Sequence, residues 1–251
     1  MIIRRVSSRS ASARFELPPP PGEGPFADDP DGGTVPDLAA LPLPLRRVVL
    51  RPTFYTRVLK PAGDRVIAAA GLCVLAVPML AIAAVVVLTM GRPVLFRQWR
   101  IGLGGVPFEV LKFRTMGPDR RVGVLAVIRD RRRTHKSDRD PRHTDVGRFL
   151  RRHSLDELPQ LINIVRGDMS IVGPRPELES VVRNHYPPGL AQRHQVRPGL
   201  TGLWQISARG DGPMHENGEW DLDYVERISL VTDLGILLRT PGALFGKHAG
   251  R

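Results

Sequence analysis

Hydrophobic and polar positions divide the 251-residue chain into three stretches of different character. Residues 1–45 are rich in Ser, Pro, Gly and Asp, and they carry too few apolar side chains to offset the entropy of ordering. They are therefore predicted to form a disordered leader. Residues 46–92 include an uncharged run, Val66 to Met90, that exceeds the roughly 20 residues needed to cross a bilayer. Residues 93–251 alternate short apolar segments with polar loops, which predicts a small mixed α/β domain.

The apolar run is predicted to enter and leave the membrane on the same side. Pro78 lies in its middle and should kink or break the helix. Each half would be only about 18 Å long, too short for a hydrocarbon core of about 30 Å. We expect a re-entrant helical hairpin bent at Pro78, although proline also occurs in true spans. Positive charge favours the cytoplasmic side, and basic residues flank both ends of the run: Arg57, Lys60, Arg65, Arg92, Arg97 and Arg100.

Two short strands joined by a glycine-rich turn are predicted in "PVLFRQWRIGLGGVPFEVLKFRTM". The turn "GLGG" is not a dinucleotide-binding fingerprint, because Pro107 stands where the third glycine belongs and no helix begins there. Farther along, "RPGLTGLWQISARG" is predicted to form a turn, a short strand and a loop.

Apolar residues recur at spacings of three and four in two later segments. The first, "DVGRFLRRHSLDELPQLINIVRGD", predicts one continuous helix that ends at Gly167. The second, "EWDLDYVERISLVTDLGILLRTPG", predicts an amphipathic helix closed by Pro241 and Gly242. This last helix is expected to pack mostly on the domain core, and an interfacial position at headgroup height is the alternative.

Charge limits the classes of partner. The chain has 37 Lys and Arg against 25 Asp and Glu, a formal net charge of +12, which favours an anionic partner such as nucleic acid, anionic lipid or a phosphorylated substrate. Few aromatic residues stand among the basic ones and no nucleic-acid-binding signature is present, so nucleic acid is not expected. The single cysteine, Cys73, excludes an internal disulfide, and the seven histidines show no zinc-ligand spacing.

The stretch "HSLDELPQL" places two carboxylates side by side, and two interpretations are open. In the first, Ser154 and Glu157 form a capping box and Asp156 merely favours the positive end of a helix. In the second, the two acids belong to a phosphate site that contains a metal ion. Adjacent carboxylates raise each other's pKa, and a bound Mg²⁺ would remove that conflict. Three arginines within two helical turns upstream favour the second: Arg148, Arg151 and Arg152.

Four motifs in a fixed order behind a membrane segment carry a resemblance to a known family. The chain resembles the bacterial sugar transferases, the monotopic phosphoglycosyl transferases that start polysaccharide and glycoconjugate synthesis. The match covers Lys60 to about Leu244, nearly all of the chain except the leader. The motifs are "PVLFRQWRIGLGGVPFEVLKFRTM", "GRFLRRHSLDELPQLINIVRGDMSIVGPRPE", "RPGLTGLWQIS" and "DLDYVERISLVTDLGILLRT".

The resemblance implies an activity and its partners. A sugar 1-phosphate would pass from a UDP-sugar to polyprenol (undecaprenyl or decaprenyl) phosphate, and UMP would be released. Asp156 matches the family's nucleophile and would form an aspartyl phosphosugar, while Glu157 is similar to the family's Mg²⁺ ligand. The catalytic domain would lie on the cytoplasmic face of the bacterial inner membrane, in contact with its lipids. A homo-oligomer is compatible with the sequence.

Basic residues near the motifs are expected to bind substrate phosphates. Lys112 and Arg114 alternate along a predicted strand and should face the same side, where a solvated strand face is the alternative. Arg151 lies one turn before the two acids. In the family context phosphate contact is favoured for these three residues.

Two further arginines are expected at the same site. Arg175 stands between two prolines in "GPRP", which suits rigid bidentate phosphate binding, although an ion pair with Glu177 or Asp168 is the alternative. Arg209 matches a phosphate-binding arginine of the family. Here it lies in "SAR" where the family usually has Ser-Gly-Arg, so the local backbone is expected to differ.

Two other functions compete with the phosphoglycosyl transferase. A membrane-bound glycosyltransferase that moves only the sugar would release UDP, and the absence of an Asp-x-Asp motif argues against it. A non-enzymatic, membrane-tethered basic module would bind nucleic acid or anionic lipid through charge alone.

Overall fold

The computed structural model describes residues 48–117, 142, 144–207 and 214–245. All of them belong to one compact unit, Pro36–Arg251, and the predicted leader lies outside the described residues. In this part of the chain helices predominate, and four strands are present. In chain order the elements are α1 (Lys60–Met90), β1 (Leu95–Ile101), β2 (Pro107–Phe113), α2 (Asp145–Arg152), α3 (Gln160–Arg166), β3 (Ser170–Val172), α4 (Glu179–His185), β4 (Gly199–Thr201), α5 (Leu203–Ser207), α6 (Glu219–Arg227) and α7 (Leu230–Phe245).

Helix α1 follows a π-helical turn, Tyr55–Leu59, and continues through Pro78 without interruption. Together they form a helix, Tyr55–Met90, that is long and apolar enough to cross a membrane. Only 6% of its most apolar 18-residue stretch is buried in the protein. The proline has no N–H, so the carbonyl of Val74 lacks its usual helical donor there. The sequence allowed a break or a kink at Pro78, and the structure shows no break.

Both ends of α1 contact the domain. At the start, the Lys60 ammonium lies 2.6 Å from the Asp233 carboxylate on α7. Farther along, Ala68 is fully buried in a cluster with Val110 and Ile164. At the end, the carbonyls of Met90 and Gly91 accept hydrogen bonds from the Arg114 guanidinium. These contacts fix the two ends of the apolar helix on one body.

The predicted β-hairpin is confirmed. Strands β1 and β2 pair in antiparallel register, from Leu95 opposite Phe113 to Ile101 opposite Pro107. The turn "GLGG" connects them through a short 3₁₀ segment in which Gly104 has φ 65° and Gly105 has φ 80°. These positive φ angles explain the glycines, because side chains with a Cβ rarely adopt them.

A second, smaller sheet joins β3 and β4 in parallel, with Ser170 opposite Gly199 and Val172 opposite Thr201. The "GPRP" turn follows β3 directly. Gly199 allows a very close approach to Gly173, where a Cβ would collide with the backbone nitrogen. Around this sheet lies the larger hydrophobic cluster, whose buried members include Val172, Leu190, Leu222, Tyr224, Val225 and Ile236.

The prediction of one continuous helix across both acids is wrong. The chain forms α2, then a 3₁₀ turn over Leu155–Glu157, then α3. Ser154 adopts the left-handed conformation (φ 55°, ψ 20°) and makes no capping hydrogen bond with its side chain, so the capping box is also wrong. Pro159 has no N–H for the Leu155 carbonyl, which accepts instead from Leu158 N–H. The predicted end at Gly167 is confirmed (φ 89°).

Two further element predictions are corrected. The last amphipathic segment is two helices, α6 and α7, separated at Ile228 and Ser229. Helix α7 passes through Pro241 and continues to Phe245 rather than closing there. The short strand expected in "RPGLTGLWQISARG" is β4, but Trp204 lies on helix α5.

Candidate active site

The two acids lie on the 3₁₀ turn between α2 and α3, and this turn packs against β2. Asp156 is buried, with 8% of its surface exposed. Backbone hydrogen bonds from Glu157 N–H to the Ser154 carbonyl and from Leu158 N–H to the Leu155 carbonyl hold the turn. The break between the helices therefore directs one carboxylate into the protein interior beside its neighbour.

Glu157 receives two cations on one carboxylate oxygen. Its Oε1 accepts from Lys112 Nζ at 2.8 Å and from Arg175 Nη2 at 3.1 Å. The structure thus brings together four of the predicted site residues: the two acids, Lys112 on β2 and Arg175 in "GPRP". Such charge-assisted hydrogen bonds are stronger than neutral ones and fix the carboxylate in place.

Arg175 has a different ion-pair partner from either predicted alternative. It pairs with Glu157, whereas Glu177 pairs with Arg100 at 3.1 Å and Asp168 accepts from the Asn163 amide at 3.3 Å. The carboxylate of Glu157 raises the pKa of Arg175 above its usual value. A charged Arg175 is therefore a fixed feature of the site.

Burial and neighbouring charges alter the pKa of Asp156. Burial raises the pKa of Asp156 from 3.8 to about 6, and the charge of Glu157 adds to this rise. Lys112 and Arg175 act in the opposite direction and limit it. Asp156 is consequently ionised at neutral pH, but its carboxylate is weakly hydrated, a property that suits a nucleophile.

Two residues that the sequence did not identify, Arg193 and Asp221, help to hold Arg175 in place. Arg193 donates from Nη2 to the Arg175 carbonyl at 2.6 Å and from Nη1 to the Tyr186 hydroxyl at 2.6 Å. It also forms a fully buried ion pair with Asp221 on α6, with an N–O distance of 2.6 Å. Asp221 is adjacent to Leu222 on the apolar side of its helix, and a charge in that position is the signal that could have identified it.

Asn163 is a second missed residue and connects α3 to β2. Its Oδ1 accepts from Leu111 N–H at 3.0 Å, and its Nδ2 donates to the Glu109 carbonyl at 2.7 Å. These two bonds fix α3 beside the strand that carries Lys112. The position of the dyad relative to Lys112 therefore depends on a buried amide, whose only sequence signal was a polar residue within an apolar helix.

Of the three remaining predicted residues, only Arg114 is shown to bind another part of the protein. Arg114 follows the end of β2 and donates to the carbonyls of Met90, Gly91 and Arg92 at the end of α1, rather than to the dyad. Arg151 is half-buried on α2, and its carbonyl accepts from Ser154 N–H at 3.1 Å. Arg209 lies outside the described residues.

The donor set fits a Mg²⁺ ion shared with a substrate. Within the described parts of the chain, no group of three or more His, Cys, Asp or Glu side chains is arranged to hold a metal. Mg²⁺, however, commonly uses one or two carboxylates together with substrate phosphates. The adjacent carboxylates of Asp156 and Glu157 satisfy that requirement, with Glu157 as the predicted ligand.

Comparisons with known proteins support the resemblance found in the sequence. A family model described as bacterial sugar transferase matches residues 55–247. The UDP-glucose:undecaprenyl-phosphate glucose-1-phosphate transferase of Caulobacter vibrioides is 46% identical over 165 residues, which cover 61% of this chain and 57% of that protein. The exopolysaccharide production protein ExoY of Sinorhizobium fredii is 45% identical over 157 residues, covering 60% and 69%.

The chain also aligns over a longer region with the UDP-glucose:undecaprenyl-phosphate glucose-1-phosphate transferase of Escherichia coli, with 41% identity over 193 residues. It covers 73% of this chain but only 39% of that protein. The matched region thus spans little more than half of the Caulobacter relative and less than half of the Escherichia coli one. Because the family model covers more than half of the chain, from residue 55 to residue 247, the chain belongs to the bacterial sugar transferase family.

Proposed function

We propose that this chain transfers a sugar 1-phosphate from a UDP-sugar to polyprenol phosphate and releases UMP. The observation that carries the proposal is the buried Asp156 beside a Glu157 carboxylate that two fixed cations contact. Two relatives named as glucose-1-phosphate transferases acting on undecaprenyl phosphate support the same reaction class. They also make UDP-glucose the first donor to test.

In the first step, a carboxylate oxygen of Asp156 attacks the phosphorus that bears the sugar. The bond from that phosphorus to the bridging oxygen of the diphosphate breaks, and UMP leaves with the electron pair. In the second step, a phosphate oxygen of polyprenol phosphate attacks the same phosphorus. The bond to the aspartyl oxygen breaks, which restores the carboxylate and yields the polyprenyl diphosphate sugar.

The surrounding residues are suited to this chemistry. Lys112 and Arg175 would stabilise negative charge on the substrate phosphates, and Glu157 already holds both of them. Glu157 would also hold Mg²⁺, which supplies charge neutralisation on the phosphates when it is bound. Burial of Asp156 limits its hydration, so less solvent must be removed before the attack.

The membrane path supports access to the lipid substrate. Because both ends of α1 contact one domain, a membrane-inserted α1 must enter and leave on the same side. We therefore infer a re-entrant path in which the helix bends at Pro78 without breaking, with Pro78 at the deepest point and the domain on the cytoplasmic face of the inner membrane. Single cysteines at Ala62 and Thr89, in a chain lacking Cys73, should both resist an impermeant thiol reagent added outside the cell. Labelling of either one contradicts re-entry.

The reaction is tested by nucleotide release. Membranes containing the chain, polyprenol phosphate, Mg²⁺ and UDP-glucose or another UDP-sugar should produce UMP. Release of UDP instead would indicate a glycosyltransferase that moves only the sugar. Asp156→Asn should abolish UMP release and the covalent phosphosugar detected by mass spectrometry, while membrane association is retained. Substantial activity in this variant would refute the role of Asp156.

A further inference from the structure

A cavity of about 190 Å³ lies between the beginning of α1 and the domain. It is separate from the dyad, because it borders Gly167 at the end of α3, whereas Asp156 precedes the start of that helix. The seven residues of α3 correspond to about 10 Å of helix. The apolar part of the lining includes Leu50, Leu103, Ile164, Met169, Val196 and Ile228.

Two arginines border the cavity on either side of Gly167. Arg197 donates from Nε to the Gly167 carbonyl at 2.8 Å. The guanidinium of Arg65 lies against Gly167, where it leaves no room for a Cβ, and it donates from Nη1 to the Pro61 carbonyl at 3.3 Å. Gly167 thus contacts both guanidinium groups, so two cations from separate parts of the chain lie at the rim of the cavity.

Neither arginine is neutralised within the described residues, where no carboxylate lies within 4 Å of either guanidinium. Lys60, on the same rim, differs because it pairs with both Asp233 and Asp64. A guanidinium has five N–H donors, and the hydrogen bonds described above use one donor from each arginine. These two bonds, to the Gly167 and Pro61 carbonyls, therefore account for only part of the available donors, and the remainder suit an anion.

The position of the rim indicates which kind of anion. Arg65 immediately precedes the uncharged run that begins at Val66. The side chains of Val66 and Ile67 are exposed, at 69% and 58%. If α1 inserts in the bilayer as proposed above, Arg65 lies at the level of the lipid headgroups. A ligand there meets two cations and an apolar cavity at once.

We propose that this cavity binds an anionic phospholipid of the bilayer. The lipid phosphate lies between Arg65 and Arg197, and the adjoining hydrocarbon enters the cavity against Leu103 and Val196. The site holds lipid at the junction of the membrane helix and the domain, at the opposite end of α3 from the reacting carboxylate. A basic residue near a membrane surface contributes about 1 kcal/mol to anionic lipid binding, so each arginine is worth about fivefold in affinity.

The test is retention of phosphatidylglycerol by the full chain, measured by native mass spectrometry after release from nanodiscs containing phosphatidylcholine and phosphatidylglycerol. The double variant Arg65→Gln/Arg197→Gln should lose about 30-fold in phosphatidylglycerol affinity. The matched control Arg51→Gln/Arg57→Gln removes the same charge from exposed residues near the membrane helix that do not line the cavity, and should retain the lipid. Thermal unfolding checks that both variants are folded.

A second variant blocks the cavity without changing charge. Leu103 lies on the hairpin turn at the rim of the cavity, and its side chain is 40% exposed. The larger side chain of Leu103→Trp should fill the cavity from there and reduce lipid retention. Equal retention by the arginine variant and the wild type would overturn the proposal. So would retention of added polyprenol phosphate with no retention of phosphatidylglycerol, because the site would then belong to the acceptor substrate.

Discussion

Asp156→Asn should make the folded protein more stable at neutral pH while it abolishes turnover. Asp156 is 8% exposed and its pKa is raised from 3.8 to about 6, chiefly by burial. The charged carboxylate is therefore disfavoured in the folded state. Asparagine has nearly the same shape but no charge to desolvate, so it avoids that penalty.

The magnitude follows from the two pKa values. One pKa unit is about 1.4 kcal/mol, so the difference between 3.8 and about 6 corresponds to about 3 kcal/mol of lost stability. Between these pH values the folded chain holds more protons than the unfolded chain. Stability from this group therefore falls as the pH rises from about 4 to 6. The variant should gain the full amount at pH 8 and only a small part of it near pH 4.

The measurement is thermal unfolding of purified protein in detergent without metal, at pH 8 and at pH 4. For a chain of this size, about 3 kcal/mol corresponds to a rise of about 6–12 °C in Tm at pH 8. Asp145→Asn is the control, since its carboxylate is 95% exposed and should show no comparable pH-dependent gain. An Asp156→Asn variant that is less stable than the wild type at pH 8 would refute the reasoning.

Two other substitutions test packing away from the dyad. Arg114→Gln removes hydrogen bonds to carbonyls at the end of α1 and should lower the free energy of unfolding by about 1–3 kcal/mol. The control is Arg92→Gln at an exposed position, which should have little effect in the same thermal assay. Gln205→Leu should raise that free energy by about 1–3 kcal/mol, because both polar atoms of its buried side-chain amide lack a partner among the described residues. A lower Tm for this variant would show that the amide is paired in solution.

Local signals in the sequence were sufficient for several elements. The glycine-rich turn predicted the β-hairpin, and Gly167 predicted the end of α3. Both depend on backbone conformations that glycine adopts readily, so the residue type alone carries the information. The apolar run likewise predicted α1, because its length and lack of charge required no knowledge of contacts.

The break before the dyad could not be read from periodicity. Leu155, Leu158 and Ile162 keep helical spacings of three and four from the 3₁₀ turn into α3, although Ser154 just before them adopts the left-handed conformation. A left-handed serine has no distinctive sequence signature, and it is tolerated here by tertiary packing. Pro159 was the available signal, since a continuous helix would leave the Leu155 carbonyl without its donor.

Strand alternation was also a limited guide. It placed Lys112 and Arg114 on one side, but β2 ends at Phe113 and the alternation no longer applies beyond that residue. Lys112 donates to Glu157, a contact that the sequence did not predict, whereas the guanidinium of Arg114 binds the end of α1. A periodic rule therefore holds only while the hydrogen-bonded ladder continues, and the end of a ladder depends on its partner strand.

The Arg193–Asp221 pair explains why a motif 65 residues after the dyad belongs to the same site. Both side chains are almost completely buried, at 1% and 0% exposure, and breaking such a pair typically costs about 3–5 kcal/mol. Arg193 also holds the Arg175 carbonyl, and Arg175 holds Glu157. Helix α6 thus positions the cation Arg175 at the dyad through one intermediate, Arg193. A change at Asp221 should therefore affect the orientation of Arg175 as well as the stability of the core.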